Sequence, residues 1–195
     1  MPQARRQPWI ERGSVLLAVA LLLLGATGIV GWWAHVDVIV QPWVAFAPFT
    51  FNAALSVLLL GAALLALELG FAPAWFALPT LALAALTVGE DLFNADFRID
   101  ELFASDHLLV DTAMAGRMSL VMSLCLMLGA AALLWRSMTR GMPTQAFAGA
   151  VAGSIIAAVG ASAMLGYVVD VPAAYTWGTA TAVSPLGGLA LALLG

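Results

Sequence analysis

The sequence predicts an all-α membrane protein with six transmembrane helices arranged as three two-helix repeats, the last helix truncated. Three observations carry that expectation. Hydrophobic side chains make up 63% of the 195 residues and charged ones only 9%, against roughly 25% charged in an ordinary soluble domain. Mean hydropathy is +1.02. Apolar runs of membrane-crossing length recur along the chain, separated by short polar or aromatic stretches. A soluble domain of this size turns much of its surface to water and cannot hide so much apolar side chain. The composition therefore excludes a soluble enzyme, a disordered chain and a secreted disulfide scaffold. Seven arginines against 11 acidic residues give a net charge of −4 with no clustered basic face, so nucleic acid is not an expected partner. The single cysteine, Cys125, lies in an apolar run and cannot form an internal disulfide.

Residues 1–13 read as a cytoplasmic tail and 14–195 as the membrane domain. The first span, 14–33, has 20 residues, about 30 Å of helix and enough to cross the hydrocarbon core. Arg5, Arg6 and Arg12 before it imitate a signal peptide. The run exceeds a signal h-region and no small-x-small cleavage site follows, so it reads as a retained helix. The second and third spans are expected at 50–69 and 71–89, with Pro79 as a kink point. The fourth is expected at 118–135 and the fifth at 147–169. The sixth, 184–195, opens on Ser184-Pro185, an N-cap followed by proline at the first helical position. From Pro185 to Gly195 there are 11 residues, about 16 Å of helix. Helix carbonyls left unpaired in hydrocarbon are costly, so the expectation is that the natural chain continues past Gly195.

Arginine placement sets the expected orientation. With six spans, Arg5, Arg6, Arg12, Arg136 and Arg140 share one side and Arg98 and Arg117 the other. The positive-inside rule then puts both termini in the cytoplasm of a bacterial inner membrane. Trp9, Trp75 and Trp135 fall at the inner interface, and Trp32, Trp33, Trp43 and Trp177 at the outer one, as aromatic belts require.

The second, fourth and sixth spans open alike. Phe51-Asn52-Ala53-Ala54-Leu55, Arg117-Met118-Ser119-Leu120 and Val183-Ser184-Pro185-Leu186 each follow an outer loop, run into leucines and reach Gly61, Gly129 and Gly195. The chain therefore reads as three two-helix units. The same residues carry a family likeness. Phe97-Arg98-Ile99-Asp100-Glu101-Leu102-Phe103 resembles a Gly-Ile-Asp-x-Leu-Phe outer loop, and Arg117-Met118-Ser119 resembles the helix start that follows it. Asn52-Ala53-Ala54-Leu55 and Ser184-Pro185 are partial copies, and the loop from Gly166-Tyr167 to Trp177-Gly178 fits the same pattern. Residues 45–195 thus resemble the N-terminal multi-helix membrane sensor region that precedes PAS, histidine kinase and diguanylate cyclase domains in bacteria. Leu120-Val121-Met122 stands where Pro-Asn-Thr is usual in that pattern, and Leu186 where a polar residue is usual. The resemblance implies a sensor whose matching residues, Asn52, Arg98, Asp100, Arg117 and Trp177, are the sensing candidates. It also implies a homodimer and a cytoplasmic output domain on the same chain, a histidine kinase first and a diguanylate cyclase second.

Other chemistry is sparse. His35 and His107 lie in outer loops, outside the expected hydrocarbon, so a haem held by two facing histidines is not expected. No cofactor is expected within the segment. Together with Asp37 or Asp106 the two histidines are weak metal candidates, without any ligand spacing in support. The loop 90–116 carries Glu90, Asp91, Asp96, Asp100, Glu101, Asp106 and Asp111 interleaved with Leu92, Phe93, Phe97, Ile99, Leu102 and Phe103. It reads as a solvated acidic face packed on the helix ends, with a ligand-sensing lid as the alternative, and Arg98 as a partner for Asp100 or Glu101. In the fifth span Gly149, Gly153, Ser154, Ala158, Ser162 and Gly166 form a small-residue stripe suited to helix packing, in the bundle or in a dimer. Nucleotide-binding, serine-nucleophile and zinc-protease motifs are absent. The expected function is a membrane-embedded sensory module. The rival from another class is a small permease or a quinone- or haem-binding membrane subunit, against which stands the absence of ionisable residues near the midplane.

Overall fold

A computed structural model describes residues 8–108, 116–139, 143–176 and 181–195, with the side chains of 8–11 and 143–145 outside that description. Among the described residues there are seven α-helices and no strand. They are α1 (Pro8–Trp33), α2 (Asp37–Val40), α3 (Phe51–Glu68), α4 (Ala74–Phe93), α5 (Leu120–Met138), α6 (Pro143–Val168) and α7 (Pro185–Leu194), with a 3₁₀ turn at Pro172–Ala174. Five stretches are long and apolar enough to cross a membrane: Arg12–Trp33, Phe51–Glu68, Ala74–Phe93, Leu120–Met138 and Ala146–Val168. α7 is apolar but has only 10 residues, about 15 Å of helix.

The described parts of the long connections 34–50, 94–119 and 169–184 meet at one end of the bundle, called here the loop end. Contacts of the loops with the helix ends show it: Trp33 Nε1 at the end of α1 donates to the Phe103 carbonyl (3.4 Å), and the Phe46 ring lies 4.8 Å from that of Tyr167 near the end of α6. α3, α5 and α7 all start there from a hydroxyl residue in extended backbone, Thr50, Ser119 and Ser184. Ser119 Oγ accepts from the Met122 N–H (3.2 Å) and Ser184 Oγ from the Gly187 N–H (3.0 Å). These caps satisfy one of the first-turn donors that a helix leaves open.

α3 is the central rod, enclosed by α1, α4, α5 and α7. The closest partnerships are α1 with α3, α4 with α5 and α6 with α7. Glycine permits two of these approaches. A Cβ at Gly25 would fall 2.6 Å from the Leu58 backbone nitrogen, and one at Gly160 would overlap the backbone of Gly188 and Ala192. Close backbone contact is how helices associate when lipid removes the usual hydrophobic drive. At the opposite end Arg136 of α5 donates to Glu68 of α3 (2.9 Å).

Two expectations are corrected and a third is refined. The third span does not stop at Gly89. α4 runs to Phe93, because Glu90 is fully buried against the bundle instead of turning to water. Trp32 is no interfacial anchor. It is 2% exposed and its indole N–H donates to the Phe49 carbonyl (2.8 Å). The α6 stripe is also rotated. Gly149, Ser154 and Ala158 face outward and Ser162 is half-buried, whereas Gly153 and Gly166 pack within the chain. The face that meets α7 follows Gly153, Ile156, Gly160 and Ala163. A strict four-residue step drifts off a helix face by about 40° each time.

Candidate functional site

The loop end contains a buried cluster of charges around Arg117. The sequence positions this side chain through Gly116, which takes φ +70 and lies so close to Asp100 that a Cβ would come 3.0 Å from its carbonyl oxygen. That left-handed backbone suits glycine. The N-cap of α5 follows two residues later, so Arg117 is fixed between loop and helix.

Its guanidinium is nearly saturated. Nε donates to Asp100 Oδ2 (2.8 Å), Nη1 to Asp91 Oδ1 (3.4 Å) and Nη2 to the Ala95 carbonyl (3.3 Å). Nη2 also lies 3.7 Å from Glu90 Oε2. The other Glu90 oxygen accepts from the Phe97 N–H (2.7 Å). From α3, Asn52 Nδ2 donates to the Ile99 carbonyl (2.9 Å). α3, α4, the loop and the start of α5 are thereby joined at one point. Asn52 and Glu90 are fully buried, Arg117 is 5% exposed and Asp100 7%. Burial raises the Asp100 carboxyl above the usual aspartate range, against the opposing hydrogen bond and charge of Arg117. For Arg117 burial pulls downward, but the bond to Asp100 and the charges of Asp100, Glu90 and Asp91 outweigh it and raise the guanidinium.

Five oxygens around this cluster accept no hydrogen bond from the described residues: Asn52 Oδ1, Ser56 Oγ, Glu90 Oε2, Asp91 Oδ2 and Asp100 Oδ1, with Thr50 Oγ1 and His107 Nδ1 in the same condition elsewhere at the loop end. Ser56 is fully buried one turn along α3 from Asn52. Buried polar atoms are normally partnered, so the grouping marks this end of the bundle.

The seven acids of the loop divide into two sets. Asp96, Glu101 and Asp106 accept backbone N–H groups of the loop itself, from Arg98 (2.8 Å), Asp106 (2.7 Å) and both Leu108 (2.9 Å) and Gly116 (2.8 Å). Glu90, Asp91 and Asp100 turn to Arg117. Asp111 lies outside the described residues. The expected solvated acidic face is thus inverted in part, with Glu90 and Asp100 inside while Leu92, Phe93 and Leu102 are exposed. Arg98 is exposed, with φ 58, and Arg117 takes the partner expected for it.

The histidines also meet. The His35 and His107 rings lie 4.4 Å apart, edge to face, and His107 Nε2 is 3.0 Å from Asp37 Oδ1. Asp106 is occupied by the loop backbone instead. Among the described residues no three His, Cys, Asp or Glu form a group able to hold a metal. Trp177 lies outside the described residues.

Sequence reasoning brought forward Asn52, Asp100 and Arg117, which the fold joins, but missed Glu90, Asp91 and Ser56. A signal for Glu90 was present. Ala77, Thr80, Ala84, Thr87 and Glu90 share one helical face of small and polar residues, and all are buried. No family model, curated protein or solved structure matches the chain.

Proposed function

We propose that the chain is a membrane-embedded sensory and signal-transduction module of the bacterial inner membrane, with both termini in the cytoplasm. The observation that carries this reading is the Arg117 cluster, in which one buried guanidinium holds a long loop to α3, α4 and the start of α5. A clamp made of charge responds to anything that alters charge beside it. A stimulus shifts such a clamp only by binding its two states unequally. Motion of Arg117 acts directly on the cap of α5, and Arg136 links the far end of α5 to α3.

Six spans in three two-helix units suit this architecture. Each close pair, α1–α3, α4–α5 and α6–α7, joins two helices consecutive among the long elements. The second member begins from Thr50 (φ −60, ψ 155), Ser119 (φ −66, ψ 146) or Ser184 (φ −66, ψ 157). The preceding residue, Phe49, Met118 or Val183, is buried in every case. With the family likeness of the sequence, the output in this reading is a cytoplasmic histidine kinase domain, a diguanylate cyclase being the second choice. The exposed small residues Gly149, Ser154 and Ala158 of α6 suit a homodimer.

The test joins residues 1–195 to a cytoplasmic kinase reporter in inner-membrane vesicles. Asp100→Asn preserves shape and changes charge. It is expected to alter basal phosphorylation with the amount of inserted protein unchanged. Output that merely follows protein level defeats the reading. Buried Asn52, Ser56, Thr80, Thr87 and Glu90 favour a small permease as the second reading. Solute counterflow in the same vesicles, lost in Glu90→Gln, would establish that reading instead.

A further inference from the structure

We infer that the loop end of the bundle holds a site for one small monovalent metal cation of the sodium class, liganded by oxygens of Asn52, Ser56, Glu90 and Asp100. Charge balance is the first argument. Two carboxylates, Glu90 and Asp100, are buried with a single guanidinium, Arg117. Asp91, 20% exposed at its side chain, keeps Oδ1 on Arg117 and Oδ2 buried without a partner, and Arg98 is exposed. The buried interior is therefore at least one positive charge short, and an uncompensated buried charge is strongly unfavourable.

Geometry is the second argument. Asp100 Oδ2 sits 2.8 Å from Arg117 Nε and Glu90 Oε2 3.7 Å from Nη2. Both nitrogens belong to the same edge of the guanidinium, so two carboxylates crowd one edge. Like charges so placed disfavour each other's ionised form, which further positive charge beside them relieves.

The unpartnered atoms are the third. The five around the cluster are all oxygens: Asn52 Oδ1, Ser56 Oγ, Glu90 Oε2, Asp91 Oδ2 and Asp100 Oδ1. Asn52 Nδ2 is committed to the Ile99 carbonyl, next to Asp100, which holds Oδ1 of the same amide at the junction. Ser56 follows on the same face of α3. A proton on one carboxyl would serve that group and one neighbour, leaving the other acceptors unserved. A hard cation takes carboxylate, amide and hydroxyl oxygens together. A donor set made of oxygen alone suits a hard cation and not a transition metal. As the stimulus of the sensory module the cation rests on the reading above. As a ligand it stands alone.

The test uses the purified chain in nanodiscs, unfolded by heat and followed by tryptophan fluorescence. Ionic strength is fixed while choline chloride is replaced by LiCl, NaCl, KCl or CaCl₂. The midpoint is expected to rise saturably by several degrees with NaCl, as a ligand of the folded state alone requires. Ser56→Ala is expected to unfold at the wild-type temperature in choline and to lose most of the rise. Asp106→Asn, whose carboxylate holds only the loop backbone, is expected to keep it. No dependence on any metal cation, or a full rise in both Ser56→Ala and Asn52→Ala, overturns the site. A response to acid in choline without a response to metal assigns the missing charge to a proton and overturns it too. Saturable binding with unchanged reporter output defeats only the sensory reading. An Asp100→Asn output change without cation dependence defeats only this inference.

Discussion

Where α1 hands over to α3, the Trp32 indole N–H donates to the Phe49 carbonyl (2.8 Å), and the Phe49 N–H donates to the Val40 carbonyl (2.8 Å). Where α6 hands over to α7, the Tyr167 hydroxyl donates to the Val183 carbonyl (3.0 Å), and the Val183 N–H donates to the Tyr175 carbonyl (2.9 Å). The two junctions share one device: an aromatic donor near the end of the first helix fastens the residue before the next helix cap. Between α4 and α5 no such bond is present among the described residues, and Arg117 with its carboxylates does the fastening instead. Returning the chain to start a helix can thus be solved with neutral or with charged groups. The neutral solution is indifferent to pH and ions. The charged one is strong only while its charges balance, which makes the middle junction the adjustable one.

Removing Arg117 breaks the comparison most severely. Arg117→Met leaves Glu90 and Asp100 buried without the guanidinium, and breaking a buried pair by deleting one partner costs about 3–5 kcal/mol. Unfolding in nanodiscs followed by tryptophan fluorescence should show that loss. A loss within about 0.5 kcal/mol, usual for an unremarkable surface site, would mean the junction does not depend on its ions. Trp32→Phe comes next, removing a buried donor and part of a buried ring. About 2 kcal/mol is expected from the unsatisfied Phe49 carbonyl and the void together. Tyr167→Phe removes only the hydroxyl, for about 1 kcal/mol. Its ring should stay stacked on Tyr175, now 3.8 Å away. For both aromatic variants the midpoint should shift equally at every pH between 4 and 7. A pH-dependent shift would show that the neutral junctions are coupled to the charged one.

The helices were legible because hydropathy and length alone decide which segments cross lipid. Their ends were less so. Gly89 looked like the limit of the third span because Glu90 and Asp91 are acids, and single-residue polarity cannot reveal that Arg117, far along the chain, receives them. For the same reason Arg98 was the expected partner of Asp100 or Glu101: it is near in sequence, while Arg117 is near Asp100 in space. Asn52 and Arg117 were found through the pattern at the openings of the second and fourth spans. Ser56 carried no such pattern, since a serine inside an apolar helix usually bonds its own backbone, as Ser123 does to the Ser119 carbonyl (3.1 Å). The meeting of His35 with His107 depended on how two loops fold over one helix end, which no local rule specifies.

Asp100→Asn gives the smallest change at neutral pH and the sharpest view of the charged junction. The amide keeps an oxygen for Arg117 Nε and removes one of two buried negative charges, so wild-type stability within about 1 kcal/mol is expected at pH 7. The pH profile carries the difference. Burial holds the Asp100 carboxyl above its ordinary 3.8 in the folded protein, so the folded state takes up a proton before the unfolded chain does. Stability from this group therefore grows as pH falls from neutral through the raised value. It is complete at the ordinary value and is lost again as pH rises through the raised one. The wild type should gain on Asp100→Asn between pH 7 and about 4, and no further below that. A profile that runs parallel to the variant throughout this range would mean that Asp100 is ionised and fully compensated by Arg117. The middle junction would then be as fixed as its aromatic counterparts.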